Sequence, residues 1–126
     1  MSFTNYLETE ILDHVFGGNA YTAPATLYIG LYTATPGEAG GGTELSGDAY
    51  ARQSAAFTVT GNTASNSANI EFPAATGSWG TVTHAGIFDA STGGNLLAYA
   101  TLTSSKVVET GDILRFSASQ LDVTLD

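Results

Sequence analysis

The sequence contains no cysteine, so neither a disulfide framework nor a cysteine-based metal site can hold the fold together. Cations are almost as scarce: Arg52, Lys106 and Arg115 stand against twelve acidic residues and leave a formal net charge of −9. Three scattered cations cannot neutralise a phosphate backbone, and a negative surface is repelled by anionic lipid. Nucleic acid and membrane are therefore not expected as partners. No apolar run approaches the roughly 18 residues of a spanning helix, and neither a secretory signal nor a basic transit segment stands out, so a soluble protein is expected. Charged residues make up only 12% of the chain, about half the usual share.

What fills those places is Thr, Ser, Ala, Asn and Gly. A surface of this kind loses little side-chain entropy when ordered against a neighbour. The hydrophobic fraction of 43% is ordinary, and 126 residues suffice for one domain, residues 1–126, burying about two-thirds of its unfolded surface. The organisation expected is an N-terminal helix within residues 1–18 and a β-sandwich over 19–126.

The one helical pattern is FTNYLETEILDHVF, residues 3–16. Phe3, Leu7, Ile11 and Val15 recur at i, i+4, and Tyr6, Leu12 and Phe16 widen the stripe. Ser2 or Thr4 can cap it, Glu8 and Glu10 lie toward the positive end of its dipole, His14 lies at the negative end, and Gly17-Gly18 stops it. Afterwards the period is two. Ala25–Thr33 is apolar on both faces and reads as a central strand. Thr35–Gly47 reads as a mobile glycine-rich loop. Arg52–Thr60 and Ser67–Phe72 read as strands around the polar turn GNTASN, Thr81–Phe88 and Leu96–Leu102 as a hairpin across Asp89–Asn95, then Ile113–Ala118 and Leu121–Leu125, with Leu121, Val123 and Leu125 facing inward. The expected fold is all-β: an antiparallel β-sandwich or jelly roll of about seven to eight short strands with one N-terminal amphipathic helix.

No pattern points to catalysis, a metal or a cofactor. His84 on an alternating strand reads as a half-buried histidine bonded to a neighbour, and no nucleophile elbow accompanies it. The acids fall mostly at turns and strand ends, where solvent exposure explains them and no glycosidase pair is indicated. Gly37–Gly47 lacks the Gly-Lys-Ser/Thr ending of a phosphate loop. DASTGGN lacks the alternating acids and closing Glu of a calcium loop. Trp79, between loop and strand, reads as a plug at one end of the sandwich.

Three stretches carry a resemblance: Gly77–Leu97 (GSWGTVTHAGIFDASTGGNLL), Leu27–Gly41 (LYIGLYTATPGEAGG) and the closing LDVTLD. Together they resemble a family of small virion structural proteins of tailed bacteriophages, often labelled tail-fibre-like. The resemblance implies a non-enzymatic virion component, made in the bacterial host cytoplasm, that works as a homo-oligomer, commonly a trimer. The role expected first is a capsid decoration, or cement, protein gripping major capsid subunits; the alternative is a tail, tail-fibre or adaptor component contacting tail proteins. A third reading is a carbohydrate-binding module using Trp79 and exposed tyrosines. The candidate partner contacts are Phe3, Tyr6 and Leu7 in the N-terminal segment and Gly40, Gly41 and Gly42 in the glycine-rich loop.

Overall fold

The computed structural model describes residues 1–126. Along the chain the elements are β1 (Ser2–Phe3), α1 (Asn5–Val15), β2 (Leu27–Ala34), β3 (Thr43–Glu44), β4 (Gln53–Ala55), β5 (Phe57–Thr60), β6 (Thr63–Asn66), β7 (Ile70–Glu71), β8 (Gly80–Phe88), β9 (Leu96–Val108), β10 (Arg115–Phe116) and β11 (Asp122–Thr124). All strand pairs are antiparallel. The large sheet runs β1-β9-β8-β2, with β3 and β4 sharing the last edge of β2. A three-stranded sheet, β11-β6-β5, and the pair β10-β7 complete the strands. The protein is thus mainly antiparallel β with one N-terminal helix, as expected, and no closed barrel forms.

β2 is central because both its faces are apolar. Ile29 and Leu31 are fully buried on one face, and Tyr32 is 4% exposed on the other. Thirteen buried residues join the sheets into one core, among them Ile29, Leu31, Phe72, Trp79, Val82, Ile87 and Leu121. On the second face of the large sheet Tyr32, Phe88 and Leu96 form a smaller cluster, with the rings of Tyr32 and Phe88 stacked at 6.2 Å. The β8–β9 hairpin turns at Asp89–Asn95 as expected. Gly93 and Gly94 supply φ of 61° and 69°, and the Asp89 carboxylate accepts the Asn95 amide at 2.7 Å.

Several strand limits differ from the sequence reading, each for a reason in the packing. Arg52–Thr60 breaks at Ala56, whose carbonyl leaves the ladder and accepts the amide of Ser67 at 2.9 Å. β4 therefore joins the large sheet and β5 the three-stranded one, a chain crossing between layers. GNTASN is a turn only at Gly61-Asn62; Thr63–Asn66 is the middle strand of its sheet, paired with β5 and β11. Polar residues are tolerated there because a small antiparallel sheet keeps one face in water. Ser67–Phe72 contracts to β7 and Ile113–Ala118 to β10, while β9 continues past Leu102 to Val108 after a bulge opposite Val82 and His84. The strands number eleven rather than seven or eight because broken runs pair with different sheets. In the last segment Leu121 is buried and Val123 half-buried, but Leu125 is 51% exposed, past the end of the ladder.

Candidate functional site

Thr4 sets the geometry of the N-terminal segment. It is 2% exposed, caps α1 by accepting the Leu7 amide, and donates its hydroxyl to the Leu96 carbonyl at 2.6 Å. Its own amide bonds the Leu97 carbonyl at 2.9 Å, and the Asn5 amide bonds the Glu38 carbonyl at 2.9 Å. The start of the helix is thereby stitched to both β9 and the glycine-rich loop. Phe3 lies in β1, outside the helix, and of the expected stripe only Leu7 is buried. The capping position of Thr4 is what excludes Phe3 from the helix.

The six nominated contact residues divide between two clefts. Tyr6, Gly40, Gly41 and Gly42 line a polar cleft of about 450 Å³ that also meets Glu44, Arg52 and Asn95. Phe3 and Leu7 line a different, apolar groove of about 700 Å³, together with Leu27, Phe57, Val59 and Ala98. The glycine-rich loop is more ordered than its composition suggests: it contains β3, and the Gly40 amide bonds the Gly37 carbonyl at 3.2 Å. Gly42 has φ of 76°, and a Cβ there would lie 2.6 Å from the Thr35 carbonyl oxygen, so the turn requires glycine.

Beneath the polar cleft lies a network that the sequence reading missed. Arg52, read there as one of three scattered cations, has a side chain only 8% exposed. Its Nε and Nη2 donate to the two oxygens of Glu44, each at 2.8 Å. Nη1 donates to the Ala90 and Gly93 carbonyls at 2.9 and 2.8 Å, and the guanidinium lies 3.4 Å from the Phe88 ring centroid. The planar fork of arginine suits this mixture of carboxylate, carbonyl and ring. Tyr50 donates its hydroxyl to Glu44 at 2.7 Å and accepts the Leu31 amide at 3.0 Å. Gly30 makes room: a Cβ there would fall 2.7 Å from the Phe88 ring and 2.9 Å from Glu44. No local motif announces a bond between Glu44, Arg52 and the 90–93 turn, because the partners belong to different hairpins.

Burial, reinforced by the negative Glu44, pushes the Tyr32 phenol up to about 12 from an ordinary 10. Burial and then the hydrogen bond to Glu44 push Tyr50 up further. Both groups are held protonated in the fold and ionise more easily in the unfolded chain. Their contribution to stability is therefore complete below pH 10 and is lost as the pH rises toward 12 and beyond. The urea midpoint should fall steeply above pH 10, with tyrosinate absorbance from these two rings appearing only on unfolding. In Tyr50→Phe the midpoint at neutral pH should drop, but its alkaline slope should flatten. An unchanged slope would show that Tyr50 ionises freely in the fold.

Trp79 and Phe72 serve packing. Trp79 is 5% exposed, its indole N–H donates to the Asp48 carbonyl at 2.9 Å, and Tyr50 meets it edge-on at 5.6 Å. A buried Trp79 cannot stack on a sugar, so the carbohydrate-module reading loses its principal ring. His84 is half-buried and bonded as expected, to the Thr83 hydroxyl at 2.7 Å and the Thr101 hydroxyl at 3.2 Å.

Two clefts, one polar and one apolar, thus flank the N-terminal segment. The sequence matches the model of one family, described as podophage GP4 fiber I protein gp80, over residues 2–124. The chain belongs to this family: it is a phage fibre protein, a non-enzymatic structural component of the virion. The match favours the tail-fibre alternative over the capsid-decoration role placed first on sequence grounds, for which it offers no support. No curated protein matches the sequence.

Proposed function

We propose that residues 1–126 act as one domain of a podophage tail fibre, assembling as a homo-oligomer, and that the two clefts beside the N-terminal segment hold neighbouring tail or fibre proteins. The family match over residues 2–124 carries the fibre reading. The contact assignment is supported by the way Thr4 and Asn5 tie helix and loop into one pre-organised surface, which spares a partner the cost of ordering it.

The test is to count and place the chain in purified virions, by quantitative mass spectrometry against the major capsid protein and by gold-labelled antibody. Tail labelling and a small copy number, as closed rings or trimers give, are expected. Capsid labelling at hundreds of copies would return the protein to the shell. For the polar cleft, Gly41→Arg is the informative variant. A Cβ at Gly41 meets only the Pro36 carbonyl oxygen, at an ordinary 3.4 Å, so the fold should survive while the cleft is blocked. Incorporation should fall by about tenfold, as loss of a central contact does. Normal incorporation would take this cleft out of the interface.

A further inference from the structure

Two features of the surface have no partner inside the chain. The first is the C-terminal end of α1. Leu12 is 58% exposed, Val15 61% and Phe16, the C-cap, 83%. Single exposed apolar residues are ordinary, but these three stand at i, i+3 and i+4 and form one patch. Exposed Asp13 lies beside them, one carboxylate oxygen accepting the Asn19 side-chain amide at 2.9 Å and the other free, and the helix presents its negative end there.

The second feature is a cleft of about 670 Å³ between β9 and the segment from Leu114 to Asp122. Leu102, Leu114, Phe116 and Leu121 give it apolar walls, and the exposed Lys106, Arg115 and Asp122 also line it, the Asp122 carboxylate being engaged by the Ser65 hydroxyl. The only ion pair in the protein is Arg52 with Glu44. Both basic side chains left unpaired, in a chain of net charge −9, therefore line the same cleft. The outer edge of β9 is also free here, since β1 covers it only at Ala98 and Tyr99.

The helix end is apolar with Asp13 and the negative pole of the helix beside His14, the cleft is apolar with two cations against one carboxylate, and they share no residue. We infer that the α1 end of one copy seats in the Lys106–Arg115 cleft of the next. Leu12, Val15 and Phe16 enter against the apolar walls, while Asp13 and the carbonyl end of the helix face the two cations. Copies carrying −9 repel one another over most approaches; this contact sets the available positive charge against a negative helix end. Joining two different patches makes it head-to-tail, so it closes a ring where the rotation allows and extends a filament where it does not.

The inference rests on the oligomeric fibre reading above and names the contact within it. It is tested with the whole chain by analytical ultracentrifugation, using Phe16→Asp to break the helix side and the double substitution Lys106→Glu with Arg115→Glu to break the cleft side. All three positions are exposed, so each variant should melt like the parent. The parent should self-associate, less tightly at high salt, and each variant should raise the dissociation constant about tenfold or more. Mixing the two variants should restore a one-to-one dimer, because one retains an intact cleft and the other an intact helix. A monomeric parent, variants that associate like the parent, or a mixture that stays monomeric would each overturn the contact. A monomeric parent whose cleft instead holds polygalacturonate would assign the cations to an acidic glycan. Tail labelling of virions is independent of these outcomes, so the fibre reading can stand if the contact fails.

Discussion

Arg52→Ala should destabilise the protein by about 3 kcal/mol, as removing one partner of a largely buried ion pair does. The arginine side chain is 8% exposed and that of Glu44 24%, so Glu44 would be left half-buried without its cation. Four hydrogen bonds and the contact with Phe88 would go together. For a chain of this size the melting temperature should fall by about 10 °C. Arg52→Lys should recover only part of the loss, because an ammonium cannot reach both carboxylate oxygens and two carbonyls at once. Thermal melts followed by circular dichroism read the effect. A loss below about 1 kcal/mol would put the network in the class of exposed surface pairs.

Asn66→Ala should cost nearly as much, about 3 kcal/mol, through a different mechanism. Asn66 is 1% exposed. Its amide group donates to the Ala68 and Ser117 carbonyls, each at 2.9 Å, and its carbonyl oxygen accepts the Leu121 amide at 2.8 Å. Its backbone adds bonds to Leu121 and Ser119, the latter at φ of 64° in the turn before β11. Alanine would leave the buried Leu121 amide without its acceptor and would take one donor each from the Ala68 and Ser117 carbonyls, of which Ser117 keeps the Gln120 amide at 3.2 Å. Asn66→Asp should be no better, because a carboxylate cannot donate to the two carbonyls. Hydrogen exchange should show the loss first at Leu121 and along β11; protection kept at Leu121 would mean that the turn is held by its backbone alone.

Asn66 also shows how sequence reading fails. Within GNTASN it has the composition of a turn, yet it is a buried hub because β11, nearly sixty residues away, pairs with that segment. Arg52 is the same case with charge. Its isolation in sequence suggests a solvated cation, and only the approach of the Glu44 strand and the 90–93 turn converts it into a clamp. The hydrophobic stripe on α1 is a third. The period correctly predicts the helix, but whether a stripe is covered depends on which elements reach it: Leu7 is buried, Phe3, Tyr6 and Ile11 are half-buried, and Leu12, Val15 and Phe16 are exposed. Phe3, Tyr6 and Leu7 are close in sequence but open onto different clefts, because Tyr6 and Leu7, consecutive in the helix, point about 100° apart.

Local patterns by themselves determined the all-β class, the N-terminal helix, the doubly buried β2, the Asp89–Asn95 hairpin and the bonded His84, because each depends on alternation, helical period or turn chemistry within a few residues. Composition determined that no disulfide braces the fold and that positive charge is scarce. Tertiary structure decided which strands share a sheet, how the nominated contacts divide between clefts, and where each cation goes: Arg52 inward, Lys106 and Arg115 to one cleft. Those outcomes depend on hydrogen bonds and burial between segments tens of residues apart, whose partners no local pattern specifies.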